Sequence, residues 1–419
     1  MTTAPGRGTR RLAATLYAYA FLGDLVLLYP VYALLFADTG LSVWQISSLF
    51  VIWSVSSIVL EVPSGAWADA VSRRLLLCLA PLVTAAGFAV WVLLPSYPAF
   101  AVGFLLWGAG GALGSGAQEA LVYTELDRRG AAGRYARVMG RARTAEVLGA
   151  LASIVLAGPV LAAGGYSAVG AASVGACVLA AAVATLLPED RAGVRDGGDS
   201  GPPEEEDPGW GASLRLGLAE ARTSRPVRAA VLLIAAVAAV WGALDEYTPL
   251  LAQDTGVDAR TVPLLLLPVW VGVTVGGLLT PWGERLTTRG FAVLLGLAAT
   301  ALAAGALTGH PSGFALIAVA FCAFQLATVL TEARLQARIS GPSRATVTSL
   351  AGMATDVTII AVYAGYALVA TGAGNAVAFA VAAVPYLGVA VLLALVGGGS
   401  RRPGPSAPPP VAARAGTGA

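Results

Sequence analysis

The sequence contains no lysine; apart from one histidine, every basic side chain is an arginine. A phosphate-binding Gly-Lys loop, and with it an ATP site of the usual form, is therefore excluded. The Ala/Gly/Arg-rich composition fits a GC-rich coding bias rather than a function. Charge of either sign is scarce: charged residues are 12% of 419, hydrophobic residues are 57%, and mean hydropathy is +0.75. A soluble domain carries about 25% charge, and no soluble fold of this length hides so much apolar side chain. Lipid is the expected solvent. The net charge of +2 predicts no nucleic-acid partner. The three cysteines, Cys78, Cys177 and Cys322, are widely spaced inside apolar segments, which argues against a disulfide framework or a metal site. His310 sits in a short Gly/Pro loop and reads as a loop residue. No nucleophile motif accompanies it, so neither an enzyme nor a cofactor is expected.

A helix needs about 20 apolar residues to cross the hydrocarbon core. The candidates are 12–36, 43–66, 75–94, 99–122, 138–163, 166–187, 229–252, 261–282, 290–309, 313–332, 345–370 and 374–397. Continuously apolar runs favour helices over an alternating barrel. The expected fold class is all-α: twelve transmembrane helices in two six-helix pseudo-symmetric halves. Arg7, Arg10 and Arg11 precede the first run, which is too long for a signal segment and contains Asp24. It reads as a retained first span.

The loops test this count. One set holds Arg73/Arg74, Arg128/Arg129/Arg134, Arg285/Arg289 and Arg338/Arg344, and the C-terminal tail adds Arg401, Arg402 and Arg414. The opposite set, from Asp38–Gly40 to Thr371–Asn375, holds only Arg260. By the positive-inside rule both termini are cytoplasmic, in a bacterial inner membrane. The domain reading is a tail over 1–11, a six-helix half over 12–187, a cytoplasmic linker over 188–228, a second half over 229–397 and a disordered tail over 398–419. The linker holds Pro202-Pro203 and the acidic run Glu204–Asp207.

Two halves of equal span count suggest duplication. After span two comes Gly65-x3-Asp69-x3-Arg73; after span eight comes Gly277-x3-Pro281-x3-Arg285, at one constant offset. Glu119 in span four and Glu332 in span ten are separated by nearly the same offset.

The segment Gly65-Ala-Trp-Ala-Asp69-Ala-Val-Ser-Arg73-Arg74 resembles the loop 2–3 signature of the major facilitator superfamily, and the degenerate copy after span eight is typical of it. The likeness extends to bacterial drug/proton antiporter-like members. It implies secondary transport by alternating access, with Gly65, Asp69, Arg73 and Arg74 as a latch between the halves and Glu125 as a second carboxylate; the alternative is that Arg73 and Arg74 only enforce topology. The chain departs from those antiporters in two places. Phe100 to Gly116 holds no arginine, and span five matches their Gly-Pro signature only in part, at Gly149, Gly158-Pro159 and Gly164-Gly165. Both departures argue against their usual proton apparatus.

Ionisable groups inside a membrane usually face a cavity or a partner. In the superfamily, spans one, four, seven and ten line the path; here they carry Asp24, Glu119, Asp245/Glu246 and Glu332, and span eleven adds Asp356. Asp24, on a face with Tyr17, Phe21, Leu28 and Tyr32, suits a proton carrier, a partner for a cationic substrate, or a structural carboxyl. Asp245, one turn after Trp241 and near Thr248, suits an organic cation held by charge and aromatic face, or an interfacial carboxylate. Asp356, with Gly352 and Tyr363 near its face, reads as a second proton site or a packing hydrogen bond. Phe321, Gln325, Thr328 and Glu332 form a polar stripe expected to line the pore. Glu61, Arg141, Arg143 and Glu146, with Glu119, read as an ion-pair network in one third of spans two, four and five.

The expected function is proton-coupled efflux of a hydrophobic or cationic small molecule, driven by an ion gradient without ATP. The alternatives are uptake of a neutral nutrient such as a sugar, and a non-transporting receptor or assembly protein. The expected partners are the substrate, protons and the lipid bilayer.

Overall fold

A computed structural model describes residues 6–114, 116–189, 225–337 and 344–399. Most of the expected linker and of the C-terminal tail lies outside these residues. The described chain is helical throughout: α1 (Arg7–Asp24), α2 (Tyr32–Asp38), α3 (Val43–Ala70), α4 (Arg73–Leu93), α5 (Tyr97–Gly114), α6 (Ala117–Arg128), α7 (Tyr135–Ala184), α8 (Arg225–Asp245), α9 (Thr248–Asp254), α10 (Val262–Leu278), α11 (Thr280–Gly283), α12 (Thr288–Leu307), α13 (Gly313–Gln336), α14 (Arg344–Ala382) and α15 (Val384–Gly399).

Eight described stretches are long and apolar enough to cross a membrane. Two of them, Ala132–Ala184 with 53 residues and Leu350–Leu395 with 46, are each twice the length a bilayer needs. Each holds a glycine at positive φ that no ordinary helix tolerates: Gly165 at φ 65° in α7 and Gly374 at φ 84° in α14. These are hairpins of two spans. With the shorter apolar α10 and the divided first span, the count reaches the expected twelve.

Five spans differ from the expected continuous helices; spans eight and twelve are interrupted only at Leu279 and Ala383, and the other three breaks are larger. Span one divides into α1 and α2 across Leu25–Val31, where Pro30 lacks the N–H that an unbroken helix uses. The freed Leu28 amide donates instead to Ser173 Oγ at 3.0 Å. Such repair is what permits a broken helix at membrane depth. Span seven divides into α8 and α9 just before Pro249, and the Thr248 hydroxyl donates to the Asp245 carbonyl at 2.6 Å. Span four divides into α5 and α6 beside Gly116, at φ 71°.

Helix direction defines two ends of the bundle. The terminal end carries the first residues of α1 and the last of α15; the far end carries the 39–42, 94–96, 255–261 and 308–312 connections. One apolar cluster runs through both halves toward the far end, joining Phe36, Phe100 and Phe104 to Tyr247, Tyr363 and Phe379. Toward the terminal end the core splits. Leu12, Leu76, Leu121 and Val138 pack in the first half, while Val227, Ile234, Leu335 and Val347 pack separately in the second. Contacts between halves follow this shape. The α3 helix packs on α14, and α7 on α10. Ser47 Oγ and Tyr247 OH lie 2.6 Å apart, Tyr247 packs edge-on against Phe50 at 5.3 Å, and Gln253 donates to Asp38 at 3.4 Å. The halves are clasped at the far end and part toward the terminal end.

Candidate substrate pathway

The parting encloses a cavity of about 530 Å³ between the halves. Its charged lining consists of four carboxylates, Asp24, Glu146, Asp245 and Glu246, and one guanidinium, Arg143. Asp24 and Asp245 occupy matching places: each is the last residue before the break in the first span of its half. A helix C-terminus carries the negative end of the peptide dipoles. Two such ends, each bearing a carboxylate, make a site that favours cations or protons.

Span five supplies the opposite wall near Asp24. An added Cβ on Gly149 would lie 2.3 Å from the Phe21 carbonyl, so only glycine lets α7 approach the end of α1 this closely. One turn before Gly149, Glu146 reaches the cavity and accepts from Arg143 Nη1 at 2.8 Å. The guanidinium is 83% exposed and leaves most of its donor capacity to water. The expected ion-pair network is therefore real for Arg143 and Glu146, but these residues line the cavity rather than stand apart from it. The Glu61 side chain lies outside the described residues.

The aromatic wall differs from expectation. Trp241 does not flank Asp245 in the cavity. Its indole N–H donates to Thr328 Oγ1 at 3.1 Å and its ring packs edge-on against Phe321, because a buried indole N–H needs an acceptor and α13 offers one. The cavity's rings come from elsewhere. Tyr29 stacks on Trp107 at 5.3 Å, Trp107 stacks on Trp53 at 4.8 Å, and Trp270 faces them from the second half. The polar stripe of span ten divides likewise: Gln325 lines the cavity, whereas Phe321 and Thr328 hold Trp241.

Three expected path acids lie off the cavity wall. The break at Gly116 creates a new helix start, and Glu119 sits exposed in the first turn of α6, where the dipole favours an acid. Glu332 is exposed on α13, and Asp356 is half-buried on α14. Sequence reading did not single out Tyr29, Trp53, Trp107 or Trp270, and it placed Glu146 in a network rather than on a cavity wall. The one signal was Trp107, which heads the glycine-rich run Gly108–Gly114.

At the terminal end, Gly65 and Asp69 lie in the last turns of α3, with side chains outside the described residues. Arg73 donates to Thr124 Oγ1 at 2.9 Å and to the Ala120 carbonyl at 3.3 Å, both on span four of its own half. Arg74 is exposed. Glu125, 4% exposed, binds Arg129 at 2.6 Å and Arg128 at 3.4 Å. Glu189, beyond span six, accepts from the Ser72 hydroxyl and from the Arg73 amide, tying the 2–3 loop to the end of the half. The second half has its own tie: Arg334 donates to the Leu286 carbonyl at 3.3 Å and lies 4.6 Å over the Phe291 ring.

A twelve-span bundle of two clasped halves with a polar cavity at their seam is the architecture of a membrane transporter. The family profile described as Major Facilitator Superfamily matches residues 14–357, and the chain belongs to that superfamily. It is a secondary transporter of small molecules, not an enzyme. A search of curated proteins finds no match. Among solved structures the chain is similar to the nucleoside transporter NupG, at 11% identity and TM-score 0.71, covering 94% of this chain and 100% of that one. It is similar to a bacterial homolog of the human lysosomal transporter Spinster in an inward-facing, unoccupied conformation, at 16% identity and TM-score 0.67, covering 94% and 96%. It is also similar to a D-xylose–proton symporter, at 16% identity and TM-score 0.65, covering 92% and 96%.

Proposed function

We propose that this transporter exports a hydrophobic or cationic small molecule across a bacterial inner membrane, exchanging it for protons by alternating access. The observation that carries this reading is the cavity wall, where four carboxylates outnumber one arginine and stacked indoles supply apolar, cation-binding faces. A dedicated anion carrier would need the opposite charge. Arginine-rich loops at the terminal end make that end cytoplasmic, so the cavity opens to the cytoplasm. Residues 12–187 and 229–397 move as the two halves, joined by 188–228. Asp24 binds the proton or the cation; Asp245, Glu246 and Gln325 share the wall with it. Glu119, Glu332 and Asp356 act in another conformation of the transport cycle or in packing. Gly65, Asp69, Arg73, Arg74 and Glu125 re-engage the second half when the cytoplasmic end closes.

A second reading is proton-coupled uptake of a neutral solute. Its support is that the Gln325 amide shares the cavity wall with Trp53 and Trp270, a combination that suits a sugar ring. The test is susceptibility of a bacterial host lacking its main exporters, expressing either the parent or Asp24→Asn at equal membrane levels. Resistance to cationic compounds that the Asn variant loses supports export. Unchanged susceptibility to every compound, with uptake of a labelled sugar by the parent, overturns export in favour of the second reading.

A further inference from the structure

A second cavity, of about 220 Å³, lies inside the first half behind the break of span one. It shares Asp24, Tyr29, Trp107 and Glu146 with the central cavity, so both carboxylates stand at the junction of the two spaces. From there it extends toward Tyr19 on α1 and Gln118 on α6, both nearer the terminal end. Its room comes from small residues. Gly110, Gly111 and Gly114 of α5 line it, and a Cβ on Gly111 would meet nothing within 4 Å. Its polar groups are spaced along its length: the Tyr19 hydroxyl, the Gln118 amide, Thr84 and the two carboxylates. At roughly 30 Å³ per molecule the volume has room for about seven waters, with these five polar side chains as their protein partners.

We propose that this side chamber is a hydrated proton route, by which Asp24 and Glu146 exchange protons with water at the terminal end without passage through the substrate cavity. The proposal rests on the proton-coupled reading above and adds a path to it. The step is a bare proton transfer: water at the terminal end gives a proton along the chamber waters, and the carboxylate becomes a neutral carboxyl. The reverse returns it. The chamber is built from spans one, three, four, five and six alone, so it moves with the first half as one body. A bulky substrate filling the central cavity leaves it open. Arg143 on span five and Asp245 and Glu246 on span seven face the carboxylates from the central side and set the local charge there.

The test uses the full chain in proteoliposomes with Cys78, Cys177 and Cys322 replaced by alanine. Gly111→Cys is expected to react with the hydrophilic cation aminoethyl methanethiosulfonate within about tenfold of the exposed reference Arg74→Cys, since a thiolate forms only where water reaches it. Reaction with N-ethylmaleimide alone, or with neither reagent, means a dry or lipid-facing space and overturns the proposal. In the natural-cysteine chain, the infrared carboxyl band that Asp24→Asn removes should exchange in D2O at least about tenfold more slowly in Gly111→Leu, which fills the chamber. Unchanged exchange overturns the proposal. Should the leucine variant fail to fold, Gly114→Ala, whose Cβ would lie 3.7 Å from Ala80, replaces it as a milder filling. Neither readout uses a transported compound, so failure of the export reading leaves both interpretable.

Discussion

The two halves repeat one scaffold but not one chemistry. Their first spans match closely: each breaks after an aspartate, with a proline following. Their fourth spans do not. In the first half this span is broken at Gly116 and carries Trp107, the centre of the aromatic stack. In the second half it runs unbroken over Gly313–Gln336 and contributes Gln325. The first half pairs one of its cavity acids with Arg143; among the described residues, Asp245 and Glu246 have no base of their own half in the wall. The halves share the broken first span, and the cavity lining comes mainly from the first half.

That asymmetry can be broken at graded cost. The largest effect is expected at the matched aspartates. Asp24→Asn should abolish export of cationic compounds, whereas Asp245→Asn should leave measurable export with weaker binding; equal loss in both, read by resistance and vesicle transport, would mean the halves are chemically equivalent. Next comes Gly149→Val, which forces a side chain onto the Phe21 carbonyl. Overpacking of this kind costs about 1–3 kcal/mol, and a lowered melting temperature in detergent should report it. Trp107→Ala should weaken binding of an aromatic cation by about 5- to 30-fold, the range of a partly desolvated cation–π contact, while Trp241→Phe should change it little. Binding measured by fluorescence quenching separates the two. Smaller still is Tyr247→Phe, which removes the 2.6 Å hydrogen bond to Ser47 across the clasp. At about 1 kcal/mol it should shift the open-end population by roughly fivefold, read as spin-label distances at the terminal end. Arg143→Gln is expected to be the mildest, since an exposed ion pair contributes about 0–1 kcal/mol.

Much of the scaffold was legible because hydropathy and helix length report directly on lipid. The span count, the paired halves and the loop 2–3 motif needed no coordinates. Breaks were harder, since Pro30 and Pro249 sit within apolar runs that a sliding count reads as unbroken. The cavity acids Asp24, Asp245 and Glu246, and Gln325, were found because a carboxylate or amide at membrane depth is expensive. Glu146 was assigned to a structural network because linear position gives depth but not facing. In a bundle that opens at one end, residues of that third line the funnel. Trp241 is absent from the cavity lining for a local reason: its indole N–H bonds to Thr328 Oγ1 on span ten.

The bond between the Leu28 amide and Ser173 ties the bend of span one to span six, a helix that lines the side chamber through Cys177 but not the central cavity. The bend is thus held by a hydrogen bond within the chain itself. Asp24 sits at the elbow of a lever already cocked, and reorientation needs only the sliding of one finished half against the other. An elbow ordered by the fold need not be ordered by the transported compound, so less of that compound's binding energy is spent on shaping the site.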